Sequence, residues 1–243
     1  MRHYILTRSA YSPATPIEQN RRRLALLAGI TAASLRAQTE RRLTWLVLID
    51  RADPLLAERR AAIESADLPY ILAPAERLER TMIHDRPYGP WAKHIRWGEP
   101  TLTTRLDDDD AIAPWTMERV RVAAGTGLSR VVWTLPVGYR VIGDKAYRIR
   151  WPLAQFGTLQ APPRARATIY DVNHVRVGQL GRLRPVSEEP AWLWVRHTLT
   201  RSRINVGRQT TMEGRDEGDA EPIGAALRTM FPVDWGLITG AMG

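Results

Sequence analysis

The sequence predicts a single α/β domain with a mainly parallel central sheet and a β-rich C-terminal half. Two observations lead to this prediction. Short apolar runs alternate with helical periodicity up to residue 72, and β-compatible runs dominate the stretch after residue 130. Strands that alternate with helices are typical of a parallel sheet covered on both faces. With 243 residues, the chain is long enough to bury one sizeable core of this kind.

The N-terminal half is predicted to be β-α-β-α-β followed by a fourth strand. The predicted strands are 3–7, 45–49, 70–72 and 101–106, and the predicted helices are 18–38 and 54–66. Residues 45–49 form a continuous apolar run, which is typical of a strand buried on both faces. Residues 18–38 place apolar side chains at helical spacing, and the Leu68-Pro69 step ends the second helix.

The C-terminal half contains more β-like runs. A helix at 114–124 precedes predicted strands at 130–135, 139–142 and 146–150, and further β-like runs lie at 168–170, 174–177 and 192–195. Residues 211–222 are rich in Gly, Asp and Glu, which is typical of a mobile loop, and residues 223–230 form a short amphipathic segment. The sequence shows no internal repeat and no linker, so we expect residues 1–243 to form one domain.

The composition excludes several classes of protein. The chain has no cysteine, which excludes disulfides, thiolate zinc sites and cysteine nucleophiles. No apolar run is long enough to span a bilayer, and the N-terminal apolar run is too short for a signal peptide. We therefore expect a cytoplasmic protein.

The net charge of +9 raises the question of an anionic partner. Only two of the 35 basic residues are lysine, and the arginines are dispersed along the chain. No nucleic-acid-binding motif accompanies them, so we expect no nucleic-acid partner. Peripheral association with an anionic membrane surface is left open, and the oligomeric state is not predicted.

Four consecutive carboxylates, Asp107 to Asp110, directly follow the fourth predicted strand. In an extended chain, Asp107 and Asp109 would point to one face while Asp108 and Asp110 point to the other. Ligands of open α/β sheets bind at the carboxyl ends of the strands. Two carboxylates at such a position favour Mg²⁺ or Mn²⁺, with water and phosphates completing the metal shell. The alternative is a solvated acidic turn.

Several short segments, taken in chain order, resemble one enzyme family. They are YILTR at 4–8, RLDDDDA at 105–111, LPVGY at 135–139, QFGTLQ at 155–160 and AWLWVRH at 191–197. Each resembles a motif of the rhamnosyltransferase family, and SLRAQT at 34–39 with WLVLID at 45–50 resembles a passage of family 2 glycosyltransferases. Two positions depart from the family pattern. Gln160 stands where an acidic residue is expected, and the asparagine expected after His197 comes late, at Asn205.

The resemblance implies a GT-A-like fold with a metal-binding DxD motif. Asp107 and Asp109 would bind Mn²⁺ or Mg²⁺, and Asp109 would take part directly in catalysis. His197 would complete the metal shell, since imidazole is a common metal ligand. Arg105 would meet either the phosphates or the Asp run. Of the two remaining carboxylates, Asp110 is preferred over Asp108 as a further participant.

The resemblance also suggests where the donor binds. Thr7, Arg8 and Asp50 end the first two strands, where the base and ribose of the nucleotide would lie. An inverting reaction needs a general base, and three acidic residues are candidates for it: Asp171, Glu188 and Glu189. Glu189 is preferred because it directly precedes the passage that contains the AWLWVRH segment.

The implied function is metal-dependent transfer of a sugar, with rhamnose as a candidate, from a nucleotide-diphospho-sugar to a glycan, lipid-linked or protein acceptor. Residues 1–110 would form the nucleotide-sugar half and residues 111–210 the acceptor half, followed by a loop and a short terminal segment at 211–243. The alternative is a non-catalytic GT-A-like module that binds a glycan or a protein.

Overall fold

A seven-stranded sheet and a five-stranded sheet organise the protein in a computed structural model that describes residues 1–9, 16–75, 91–126, 129–197 and 216–240. The strands in chain order are β1 Arg2–Ser9, β2 Thr44–Asp50, β3 Tyr70–Ala75, β4 Thr101–Arg105, β5 Ala111–Ile112, β6 Val131–Thr134, β7 Val137–Ile142, β8 Lys145–Arg150, β9 Gly157–Ala161, β10 Arg182–Pro185, β11 Trp192–Arg196 and β12 Asp216–Pro222.

The larger sheet has the strand order β10-β6-β9-β4-β1-β2-β3. Strand β1 pairs in parallel with both β2 and β4, and β2 pairs in parallel with β3. Strand β9 is antiparallel to both of its neighbours, β4 and β6, while β6 and β10 are parallel. The predicted α/β class with a mainly parallel central sheet is therefore confirmed.

The core lies on both faces of this sheet. In β2, Trp45 and Val47 pack into one apolar cluster, and Leu46 and Leu48 pack into another. Because successive side chains of a strand point to opposite faces, a strand in two clusters is covered on both sides. This coverage explains the continuous apolar run at 45–49.

The smaller sheet has the order β12-β8-β7-β11-β5. Strands β7 and β8 form a hairpin whose turn contains Gly143 at a φ of 60°. Strand β11 runs parallel to β7 and antiparallel to β5. Because β5 begins directly after the Asp run, that run connects the larger sheet to the smaller one.

The helices in chain order are α1 Ile17–Leu26, α2 Ala33–Arg36, α3 Leu56–Glu64, α4 Thr116–Ala124, α5 Ala225–Met230 and α6 Trp235–Gly240. The helix predicted at 18–38 is interrupted, because Leu27–Ala32 forms a π-helical segment between α1 and α2. Gly29 of this segment faces α6, and a Cβ built on it would lie 2.4 Å from Leu237 Cδ1. No helix in the described ranges is long and apolar enough to cross a membrane.

Three predictions about the C-terminal half are wrong. The β-like run at 168–170 lies in a 3-10 turn, and the one at 174–177 lies in a 3-10 helix, His174–Gln179. The side chains of Thr168 and Asn173 accept backbone N–H groups at the starts of these turns, which favours a turn over a strand. Asp216–Pro222, predicted as part of a mobile loop, forms β12 and pairs with β8. Residues 211–215 lie outside the described residues.

His3 gives the fold a testable dependence on pH. Burial is the main cause that lowers the pKa of His3 to about 3, and the positive charge of Arg121 adds to this effect. The negative charge of Glu40 acts to raise the pKa. As the pH falls, His3 is protonated near pH 6.5 in the unfolded chain but only near pH 3 in the folded protein. Between these values the proton stabilises the unfolded chain, so the stability of the fold decreases as the pH falls. We expect the free energy of unfolding of the wild type, relative to that of His3→Gln, to drop by roughly 2 kcal/mol from pH 7 to pH 5. Urea unfolding of both proteins at the two pH values measures this, and a constant difference would contradict it.

Candidate active site

The Asp run lies at the topological switch point of the larger sheet. The chain proceeds from β1 to β2 and β3 on one side, and β4 then pairs on the other side of β1. In open α/β sheets, ligands bind in the crevice beside such a switch point, which here means the carboxyl ends of β1 and β4. Ser9 ends β1, and Asp107 follows β4 after one residue. The predicted position of the run, just past a strand end, is confirmed.

Asp108 is a buried anchor of the run. One of its oxygens accepts a hydrogen bond from Ser9 Oγ at 2.8 Å, and the other accepts one from Arg23 Nη2 at 3.2 Å. Ser9 belongs to β1 and Arg23 belongs to α1. Asp108 therefore holds the run against both the sheet and the first helix.

Asp110 is the second buried anchor. Its carboxylate accepts hydrogen bonds from the backbone N–H of Val195 at 2.9 Å and from Gln155 Nε2 at 2.6 Å. Thr31 Oγ1, from the π-helical segment, donates to the carbonyl of Asp110 at 3.0 Å. These contacts tie the end of the run to β11 and to the helical layer.

Asp107 and Asp109 are more accessible than the two anchors. The side chain of Asp107 is 31% exposed and that of Asp109 is 18% exposed, against 8% for Asp108. Asp110 is 1% exposed as a residue. Exposure therefore alternates along the run, but residues 108–109 form a turn and not the extended chain from which the alternation was predicted.

Asp107 is held by a cation and a phenol. Arg105 donates to both of its oxygens at 3.3 Å, and Tyr170 Oη donates to Oδ1 at 3.3 Å. The guanidinium of Arg105 lies 4.9 Å from the centre of the Tyr170 ring, and Trp91 stacks on that ring at 5.0 Å. Burial acts to raise the pKa of Asp107, but the charge of Arg105 and its hydrogen bond outweigh burial and lower it.

Asp109 and His197 meet across 88 residues of sequence. His197 Nε2 lies 3.0 Å from Asp109 Oδ2, and the His197 residue is 1% exposed. The expected proximity of these two side chains is confirmed. β11 ends at Arg196, so His197 is carried to the crevice by the strand that also supplies the Val195 N–H to Asp110.

Burial and neighbouring carboxylates both disfavour ionisation of Asp109 and Asp110. Burial raises the pKa of Asp109, the hydrogen bond with His197 opposes this, and the neighbouring Asp108 raises it further. Burial also raises the pKa of Asp110 well above its usual value, and the charges of Asp109 and Asp107 add to that effect. A cation bound at the odd-numbered carboxylates would relieve this repulsion.

The donor chemistry at Asp109 and His197 fits Mn²⁺ or Mg²⁺. Within the described residues, no three acidic, histidine or cysteine side chains are already grouped to hold a metal ion. However, metals that act on phosphates need only one or two carboxylates, because water and phosphate oxygens fill the other positions. Asp109 supplies a carboxylate and His197 an imidazole at the same point. Asp107 would have to leave Arg105 and Tyr170 to join them.

The three residues predicted for the nucleotide lie at or near the correct edge of the sheet. Thr7 is fully buried, and its Oγ1 accepts a hydrogen bond from Trp45 Nε1 at 2.9 Å. Arg8 contributes its positive charge to the lowering of the Asp107 pKa. Asp50 ends β2, and the neighbouring Ile49 is in register with Ser9. Their roles in binding stay predictions.

Two of the three candidates for the general base, Glu188 and Glu189, are not brought to this crevice by their contacts. Glu189 lies before the start of β11, whereas His197 lies after its end, a separation of roughly 25 Å along an extended chain. Glu189 is exposed and pairs with Arg119 at 3.0 Å. Glu188 pairs with Arg150, and Asp171 accepts a hydrogen bond from Thr168. A catalytic role for Glu189 stays a prediction, and its position does not support it.

Five residues of the site were not singled out from the sequence. They are Ser9, Arg23, Thr31, Gln155 and Tyr170. Ser9 carried one usable signal, since it closes the first predicted strand, and Gln155 opens the QFGTLQ segment. The others lie in a helix or in a run interpreted as β-like, where nothing local distinguishes them from surface or core residues.

Comparisons with known proteins identify a family and similar solved structures. A family model described as "Putative rhamnosyl transferase" matches residues 18–209. The crystal structure of S. aureus TarS matches with a TM-score of 0.48 and 12% sequence identity, covering 80% of this chain and 36% of that one. The chain thus spans little more than a third of the length of that protein. No protein of curated function matches the sequence.

Proposed function

Because this chain belongs to the rhamnosyl transferase family, we propose that it is a metal-dependent glycosyltransferase. It would move a sugar, with rhamnose as the first candidate, from a nucleotide-diphospho-sugar to a glycan acceptor. The observation that carries the proposal is the Asp run at the switch point, where Asp109 meets His197 and two buried carboxylates anchor the turn.

Asp109 and His197 would hold Mn²⁺ or Mg²⁺, and Asp107 would be the third protein ligand. A bound metal neutralises charge on the diphosphate as the bond from the sugar to the phosphate oxygen breaks. Arg105, which donates to Asp107 in this structure, would pair with the phosphates once Asp107 binds the metal. Arg8 adds positive charge at the same edge. The donor would therefore lie with its diphosphate over the carboxyl ends of β1 and β4.

A donor-hydrolysis screen tests this function. The protein is incubated with a panel of nucleotide-diphospho-sugars, rhamnose donors among them, in Mn²⁺, in Mg²⁺ and in EDTA. We expect release of nucleoside diphosphate from at least one donor in metal and none in EDTA. Metal-dependent binding without turnover of any donor, with or without glycan acceptors, would favour the alternative of a non-catalytic glycan-binding or protein-binding module.

A substitution of His197 tests its role as a ligand. His197→Ala is expected to weaken Mn²⁺ binding more than Mg²⁺ binding, because Mg²⁺ gains less from a nitrogen ligand. The apparent affinity for each metal, measured from donor hydrolysis against metal concentration, gives the comparison.

His197→Gln is the matched variant for this test, because glutamine can keep a hydrogen bond to Asp109 without supplying an imidazole. It should resemble His197→Ala in its metal preference. Equal losses of Mn²⁺ and Mg²⁺ affinity in both variants would show that His197 only positions Asp109.

A further inference from the structure

A chain of buried polar contacts links helix α3 to the Asp run. Arg59 of α3 is 3% exposed, and its Nε donates to Asp53 Oδ2 at 2.5 Å. The same guanidinium donates through Nη1 to Ser9 Oγ. Ser9 Oγ in turn donates to Asp108 Oδ2 at 2.8 Å. Four buried side chains from four different segments therefore meet behind the crevice.

The direction of each hydrogen bond in this chain is fixed by chemistry. A guanidinium carries donors and no acceptor, so the Ser9 oxygen must accept from Arg59. Ser9 is left with one hydrogen, which must point to Asp108. The other oxygen of Asp108 is already bound by Arg23. Arg59 thus determines the orientation of the Ser9 hydroxyl, and that hydroxyl fixes one side of Asp108.

We propose that Arg59 and Ser9 are positioning residues for the Asp run, acting through Asp108 on the neighbouring Asp107 and Asp109. The expected effect on catalysis rests on the proposed function, whereas the positioning of the Asp run does not. Asp108 lies between the two carboxylates assigned to the metal, so anchoring its side chain restrains the backbone segment that carries both. Asp53 holds the other side of Arg59 and so completes the support.

Ser9→Ala is the most direct variant, because it removes the link while the Arg59–Asp53 pair remains. The double variant Asp53→Asn/Arg59→Met removes the link from the other end and leaves no uncompensated buried charge. Arg60→Met is the matched control, since Arg60 lies on the same helix and is exposed, with Tyr70 Oη 3.4 Å away.

Two measurements are made on the full chain. The first is hydrogen–deuterium exchange of a peptide covering 106–112 in metal-free buffer. The second is donor hydrolysis as a function of Mn²⁺ concentration. For Ser9→Ala and for the double variant, we expect faster exchange in this peptide than in the wild type or Arg60→Met, with no change in β6 and β9. We also expect Mn²⁺ affinity to fall roughly tenfold, as for residues that support metal ligands, with kcat recovering at saturating Mn²⁺.

Unchanged exchange in the 106–112 peptide of Ser9→Ala would overturn the inference, whatever the activity of the variant. A uniform increase across all strands would also overturn it, because that result indicates a general role in stability. If the wild type shows no response to Mn²⁺, the proposed function fails, and the exchange data still decide whether Ser9 and Arg59 hold the Asp run.

Discussion

Asp109→Asn is expected to lower donor turnover by more than about 100-fold while leaving the protein folded. The loss should exceed that of a residue behind a metal ligand, which costs about 10- to 100-fold. Asparagine keeps the size of the side chain and its hydrogen bonding to His197, so the variant removes the charge and one ligand oxygen with little else changed. Turnover in saturating Mn²⁺ is the quantity to measure.

The same variant should be as stable as the wild type or more stable in metal-free buffer. Burial raises the pKa of Asp109 above the value in the unfolded chain. Ionisation of such a carboxyl group is easier in the unfolded chain, where its pKa is lower. Above that lower pKa, the group therefore destabilises the folded state. The neutral amide removes this cost. The thermal midpoint at pH 7 measures the effect.

Asp67→Asn is the matched control for Asp109→Asn, because the Asp67 side chain is 88% exposed and its carboxylate pairs with Arg41 at 3.2 Å, away from the Asp run. It should keep full turnover. If Asp109→Asn also keeps full turnover in Mn²⁺, Asp109 is not a metal ligand.

Gly138→Ala is expected to destabilise the fold by about 3 kcal/mol, near the upper end of what overpacking usually costs. A Cβ built on Gly138 would lie 2.1 Å from Trp192 Cδ2, which is much closer than van der Waals contact allows. Trp192 cannot withdraw easily, because it is fully buried and its Nε1 donates to the carbonyl of Leu135 at 2.7 Å. Its ring also stacks on Phe156 at 4.8 Å.

The effect of Gly138→Ala should reach the active site, because Trp192 begins the strand that carries His197. Urea unfolding gives the change in stability. Gly224→Ala is the matched control, since a Cβ added to Gly224 would have no atom within 4 Å. A Gly138→Ala protein within about 0.5 kcal/mol of the wild type would contradict the packing account, because surface substitutions fall within that range.

Much of the N-terminal half could be predicted from sequence because its central strands are buried on both faces. Such strands appear as continuous apolar runs, and the run at 45–49 divides its side chains between two clusters as expected. The position of the Asp run followed from the same pattern, since it depends only on where β4 ends. The turn at residues 108–109 was not predicted, because the run was interpreted as a continuation of the extended strand.

The supports of the site could not be predicted, because they come from distant parts of the chain. Ser9 and Asp108 are 99 residues apart, and Arg23 and Asp108 are 85 apart. No local pattern indicates that these side chains meet. Strand β12 was missed for a related reason. Its polar residues carry no β signal of their own, and pairing with β8 supplies the hydrogen bonds that make it a strand.

A thermal-shift panel of nucleoside diphosphates, with and without Mn²⁺, tests the central claim most directly when wild type and Asp109→Asn are compared. Ligands that bind only the folded state raise the thermal midpoint. We expect at least one diphosphate to raise the midpoint of the wild type in Mn²⁺ but not in EDTA, and to leave Asp109→Asn unchanged. No rise with any diphosphate in Mn²⁺, or an equal rise in both proteins, would contradict a metal-dependent nucleotide-sugar site at the Asp run.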